Sequence, residues 1–186
     1  MKTLITTTTI LMALCAACSH KEVTETPAPA MPVAEAAPTS AQAIMQAAKK
    51  QKVKGIVHFT QDGDKVKIEG LLTGLKPGKH GFHIHEKGDC SVADFSSAGG
   101  HFNPTHSEHG APDSANKHSG DLGNIVADKK GNAPISMELS GLSISGDMGV
   151  IGKALIIHEK PDNFKTQPTG DSAARVACGV VDAVKN

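Results

Sequence analysis

The chain has no tryptophan and no tyrosine, and its five phenylalanines are scattered. A platform for single-stranded nucleic acid needs stacked aromatic rings, so the composition argues against that partner. Excess charge is missing too, because 19 basic residues balance 19 acidic ones. Nothing global therefore points to nucleic acid or to another polyanion. Long apolar runs are also lacking, and the one near the N-terminus is shorter than the ~20 residues that cross a bilayer. No internal repeat stands out. What is abundant is histidine, ten residues, together with 19 glycines and ten prolines. Such turn-rich composition fits an all-β domain, and 186 residues suffice for one domain of ordinary size plus appendages.

The appendages lie at the front. MKTLITTTTILMALCAAC (1–18) has one lysine, an apolar stretch and small residues ending at a cysteine, the pattern of an export signal. Ala16 and Ala17 before Cys18 resemble a bacterial lipoprotein signal, in which Cys18 is lipidated and becomes the mature N-terminus. Cys15, three places before Cys18, departs from that pattern, and an ordinary cleaved secretory signal is the alternative. Either way the mature protein leaves the cytoplasm, with the bacterial periplasm as the expected compartment and a lipid anchor as its only membrane contact. Residues 19–40 are rich in Pro, Ala and Thr without hydrophobic period and read as a flexible tether. Of the four cysteines only Cys90 and Cys178 remain in the mature domain, 41–186. An exported domain with two cysteines most simply joins them, closing a loop of roughly ninety residues.

Within the domain, AQAIMQAAKKQ (41–51) is helical by propensity. Short apolar runs then alternate with turns: KGIVHF and KVKIEGLL flank the Asp62-Gly63 hairpin signal, and LKPGKH makes another turn. Two irregular stretches interrupt them, Glu86 to Gly120 and Glu159 to Ala174. Loops of that length in a small domain usually carry function.

GFHIH (81–85) is the first sign of what the function is. Strand side chains alternate, so Phe82 and Ile84 share one face while His83 and His85 emerge on the other. Two imidazoles so paired make a half-site for copper or zinc. His101, His109, His118 and Asp121 follow in and just after the long irregular stretch, and His158 ends the apolar strand ALIIH. A mobile segment with three histidines and a carboxylate is able to wrap a zinc ion tetrahedrally with no water left over.

GFHIHEKGDC, SAGGHFNPTHSEHG, HSGDLGNIVAD, GKALIIHEKPD and ARVACGV together resemble copper/zinc superoxide dismutase, over about residues 41–186. The resemblance implies an eight-stranded Greek-key β-barrel, an immunoglobulin-like sandwich with two long functional loops. It implies copper bound by His83, His85, His101 and His158, and zinc bound by His101, His109, His118 and Asp121, with His101 shared. Asp162 matches the carboxylate that ties a copper histidine to a zinc one, Arg175 the arginine that attracts the substrate anion, and Thr169 a residue that narrows the channel. Cys90, five residues after His85, sits as in the bacterial periplasmic members. AQAIMQAAKK becomes a first strand, against its propensity. The implied reaction is disproportionation of superoxide to dioxygen and hydrogen peroxide, with Arg175 orienting superoxide and His101 passing a proton. The alternative is a non-catalytic periplasmic copper/zinc-binding module, which has no use for Arg175. A monomer or a homodimer fits equally, and His80 is left without a role.

Overall fold

The computed structural model describes residues 37–184. The leader (1–18) with Cys18, and all but the last residues of the 19–40 tether, lie outside the described residues. Eight strands follow: β1 (Ser40–Ala47), β2 (Lys54–Asp62), β3 (Lys65–Thr73), β4 (Gly78–His85), β5 (Asp121–Ala127), β6 (Ala133–Ser140), β7 (Ala154–His158) and β8 (Arg175–Ala183). Among the described residues there is one 3-10 turn, Ser96–Ala98, and no α-helix.

All ladders are antiparallel, in the order β5-β4-β7-β8-β1-β2-β3-β6. The edge strands β5 and β6 pack together without a ladder, so the sheet closes into a nearly complete barrel. The non-sequential pairs β3–β6 and β4–β7 are the Greek-key crossings that the sequence led us to expect.

β1 is a strand despite its helical propensity. Ala41, Ala43 and Met45 point into the core, while Ile44 and Gln46 face out. Ladders to β2 on one side and β8 on the other satisfy its backbone, and that tertiary pairing outweighs a few tenths of a kcal/mol of propensity per residue. Inside the barrel, Val57, Phe59, Ile68, Leu72, Phe82, Ile84, Leu155 and Ile157 are completely buried. Each large side chain contributes about 1.5–3 kcal/mol by leaving water.

β7 is buried on both faces. Leu155 and Ile157 belong to the barrel core, whereas Ala154 and Ile156 join Phe95, Ala98 and Cys178 in a smaller apolar cluster outside it. That cluster fastens the first irregular stretch (86–120) onto the outer face of β7 and β8. The site lies on the same outer face, between barrel and loops.

Candidate metal centre

β4 alternates as its sequence predicts. Phe82 and Ile84 enter the core, and His83 and His85 stand on the outer face, where the loops cover them so that both are buried as well. The first loop is pinned to β4 at its middle and at its far end: Phe102 N–H donates to Ile84 O at 2.8 Å, and Ile84 N–H donates to Gly120 O at 2.9 Å. A Cβ on Gly120 would run into Ile84 O, so only glycine permits this approach. The pinning brings His101 beside His85 in an isolated bridge. At the start of β5, Asp121 lies opposite His83. At the end of β7, a register shift between Ile157 and His158 sets His158 opposite Arg175.

The donor atoms fall into two groups, each spanning no more than 4.8 Å. One comprises His83, His85, His101 and His158; the other His101, His109, His118 and Asp121. All seven side chains are buried. Their hydrogen bonds choose the nitrogen that each ring keeps free, because carboxylates and carbonyls only accept. His83 Nε2–H donates to Asp162 Oδ2 at 2.8 Å, leaving Nδ1. His85 Nδ1–H donates to Gly99 O at 2.9 Å and His158 Nδ1–H to Ala173 O at 3.2 Å, leaving both Nε2 atoms. His109 Nε2–H donates to Asp162 Oδ1 at 2.9 Å, leaving Nδ1.

Those free nitrogens need a cation. His83 Nδ1 and His101 Nε2 are buried without any hydrogen-bond partner. The Nε2 atoms of His85 and His158, both carrying lone pairs, face each other at 3.4 Å. On the other side, Nδ1 of His101, His109 and His118 lie 2.8, 2.9 and 3.3 Å from the single oxygen Asp121 Oδ1. Lone pairs gathered this closely in a dry interior are costly unless positive charge sits among them. The residues therefore fit metal ions well: four imidazole nitrogens suit copper, and three imidazoles with one carboxylate suit a closed zinc site. His101 belongs to both groups, Nδ1 toward Asp121 and Nε2 toward the copper-type set.

Electrostatics agree. Burial lowers His101 to about 4 against the pull of Asp121, and lowers His158 to about 3 with help from His83. Burial, then the charges of His101 and Arg175, also hold His85 well below its ordinary value. These rings stay neutral near pH 7, with lone pairs available. His109 moves the other way, because Asp121 and Asp162 outweigh burial and raise it to about 9. A proton on Nδ1 there partly answers the field that a cation would answer fully. Burial works against ionising Asp121 and Asp162, yet hydrogen bonds from the surrounding histidines keep both well below the carboxylate range.

The supporting shell is built from two-point contacts. Asn124 of β5 takes Asp162 N–H at 2.7 Å and donates to Asp162 O at 2.9 Å. Gln167 does the same to the backbone of His109, both bonds being 2.9 Å. Gly170, at φ 69°, lies against Asp162 and His109, where a Cβ would collide with Asp162 Oδ1. Arg175 donates to Phe95 O and, at 2.6 Å, to Gly99 O, the carbonyl that also accepts from His85. The Cys90–Cys178 bridge is formed, with a Cα–Cα distance of 5.9 Å, and joins the loop bearing these carbonyls to β8.

Matched against known proteins, residues 53–181 fit the family described as copper/zinc superoxide dismutase. The chain belongs to the copper/zinc superoxide dismutase family. Its superoxide dismutase relatives include an extracellular Cu-Zn enzyme of Haemonchus contortus, 46% identical over 136 residues, which are 70% of this chain and 74% of that protein. The extracellular Cu-Zn superoxide dismutase of Caenorhabditis elegans is 44% identical over 137 residues, 70% of this chain, and the match spans 62% of that protein's length. Cu-Zn superoxide dismutase 2 of Brassica juncea is 40% identical over 136 residues, covering 69% and 89% of the two chains. Among solved structures, the crystal structure of the clock protein EA4 superposes with a TM-score of 0.77 at 40% identity, covering 83% of this chain and all of that one.

For a superoxide dismutase domain, the motif residues sort cleanly. The structure gathers His83, His85, His101, His109, His118, Asp121, His158, Asp162 and Arg175 in one place. Thr169 stands one residue before Gly170, and its carbonyl accepts from Ser172 Oγ. His80 is buried, with Nδ1 2.7 Å from His158 O and Nε2 2.8 Å from Lys76 O, so it links the turn before β4 to the end of β7. Sequence reasoning missed Asn124 and Gln167. The only trace of them is an amide side chain near a ligand motif, which is too common to read.

Proposed function

We propose that this chain disproportionates superoxide into dioxygen and hydrogen peroxide, with copper held by His83, His85, His101 and His158 and zinc by His101, His109, His118 and Asp121. The observation that carries the proposal is the shared His101, whose two nitrogens point into two different donor groups. Copper bound there supplies one-electron exchange, and zinc, which has no redox chemistry, supplies fixed charge on the shared imidazole. The rest is done by side chains. Arg175, opposite His158 and permanently charged, attracts superoxide and orients it by hydrogen bonds. His101 Nε2 would take up a proton in the half of the cycle in which it is not a ligand and hand it to the second superoxide as that is reduced; water would supply the other proton of hydrogen peroxide. Asp162 fixes the tautomers of His83 and His109. Thr169 narrows the approach to Arg175. Every ligand comes from one chain, so a monomer and a homodimer are equally competent.

Pulse radiolysis of the copper- and zinc-loaded protein, compared with the metal-free form, tests the activity. Dismutation far above the spontaneous rate is expected. A rate no faster than spontaneous would leave only a metal-binding module.

The domain spans 41–186, preceded by the leader (1–18) and the tether (19–40). It is exported to the bacterial periplasm and anchored by a lipid on Cys18. The Ala16-Ala17-Cys18 ending and the bacterial-type placement of Cys90 support this location, and the extracellular names of the nematode relatives support export. Mass spectrometry of the mature N-terminus is expected to find a diacylglyceryl group on Cys18. An unmodified terminus further along the chain would refute the anchor.

A further inference from the structure

We infer that Gln167 is the positioning residue for the zinc ligand His109, so that the second loop (159–174) governs the geometry of a site whose three histidine ligands lie in the first. The inference rests on the assignment of His109 to zinc made above.

His109 lies in irregular chain, outside every ladder, and is buried. Its backbone N–H and C=O still require partners. Both find them in one side chain: the N–H donates to Gln167 Oε1 at 2.9 Å, and the C=O accepts from Gln167 Nε2 at 2.9 Å. A primary amide offers a donor and an acceptor side by side in one plane, and so imitates the strand partner that the loop lacks. The third anchor of His109, Asp162 Oδ1 on Nε2, comes from the same loop. Two bonds fix the Cα and one fixes the far end of the ring, which together determine where Nδ1 points. With the backbone clamp removed, the ring stays tethered at Nε2 but its Nδ1 swings.

Gln167 is itself held firmly. The turn around it is closed by Gly170 N–H on Thr166 O at 2.7 Å and Asn163 N–H on Gly170 O at 3.0 Å. Asn163 also accepts from the N–H groups of Lys165 and Thr166 and donates to Thr166 Oγ1. A rigid turn transmits position, which a floppy one would not. Gln167 is exposed apart from its amide contacts, so its replacement leaves the barrel core untouched.

The test uses metal-free full-length protein as wild type, Gln167→Ala and Gln167→Glu. Zinc affinity is measured by chelator competition, Co(II) absorption serves as a geometric probe, and amide exchange is followed at His109. Gln167→Ala is expected to weaken zinc binding by about tenfold, the low end for a residue that supports a metal ligand. Copper affinity is expected to hold within about twofold, the Co(II) bands to shift, and the His109 amide to exchange faster. Glutamate still accepts the N–H but cannot donate, so Gln167→Glu should keep the amide protected and lose less zinc affinity. Unchanged zinc affinity and unchanged Co(II) bands in Gln167→Ala would overturn the inference. So would an equal loss of zinc and copper with a lowered melting temperature, which marks general destabilisation. Wild-type protein that binds neither zinc nor Co(II) would refute the zinc assignment itself, and the inference with it.

Discussion

Replacing Asp162 by alanine removes the carboxylate that joins His83 of one donor group to His109 of the other, and the two groups should respond unequally. Asp162 accepts from His83 Nε2 at 2.8 Å, from His109 Nε2 at 2.9 Å and from Phe164 N–H at 2.7 Å. The first two bonds lie in a fully dry interior, both partners being 0% exposed. Each imidazole N–H left there without an acceptor costs about 1–3 kcal/mol, so the pair is worth about 2–6 kcal/mol of ligand orientation. His83, however, rides on β4 between the ladders to β5 and β7, which hold its Cα whatever its ring does. His109 has no ladder, and among the described residues Asp162 alone hydrogen-bonds the far end of its ring. Zinc affinity is therefore expected to fall by about 100-fold and copper affinity by about tenfold or less, the two ends of the range for such supporting residues. Chelator competition run separately for each metal reads both numbers. In the metal-free variant, NMR titration should also show His109 falling from about 9, because one of its two carboxylates is gone. Copper lost as severely as zinc, or neither lost, would refute the reasoning.

Arg175→Ala should lower dismutation by about tenfold or more and flatten its dependence on ionic strength, since a steering charge disappears. Copper content measured on the same sample should not change, because Arg175 contacts Phe95 O and Gly99 O and no ligand nitrogen; copper loss would contradict its role. The metal-free protein should show a stability maximum near pH 6.5 by calorimetry. Below that pH, unfolded chains protonate histidines that the fold keeps neutral, so the contributions of His101 and His158 fade as pH falls from 6.5 toward about 4 and about 3. Above it, the folded state alone holds the proton on His109, and that contribution fades as pH rises from 6.5 through about 9. Stability that climbs steadily from pH 5 to pH 9 would refute this balance.

Much of the site was legible because its signals are local. Alternation in GFHIH depends only on strand geometry, and His83 and His85 lie where it puts them. Motif order identified His101, His109, His118, Asp121, His158, Asp162 and Arg175, and the fold brings them together. Composition misled for β1, where alanine, glutamine and methionine argue for helix; two neighbouring strands decided otherwise. Nothing local marks Asn124 or Gln167, whose partners lie 38 and 58 residues away. The purpose of His80 was equally hidden, since its acceptor His158 O is 78 residues distant.

By itself the sequence determined the chemistry on offer: which side chains carry lone pairs, which carry fixed charge, and which face of each strand they occupy. Those properties follow from residue type and from a period of two. Only the tertiary structure decided which nitrogen of each ring is free. That choice depends on the acceptor at the ring's other end, whether Asp162 Oδ1 and Oδ2, Gly99 O or Ala173 O, and all of these arrive from other parts of the chain. A histidine in a motif is an imidazole with two equivalent prospects. Folding gives one nitrogen a carbonyl or carboxylate, and leaves the other for the metal.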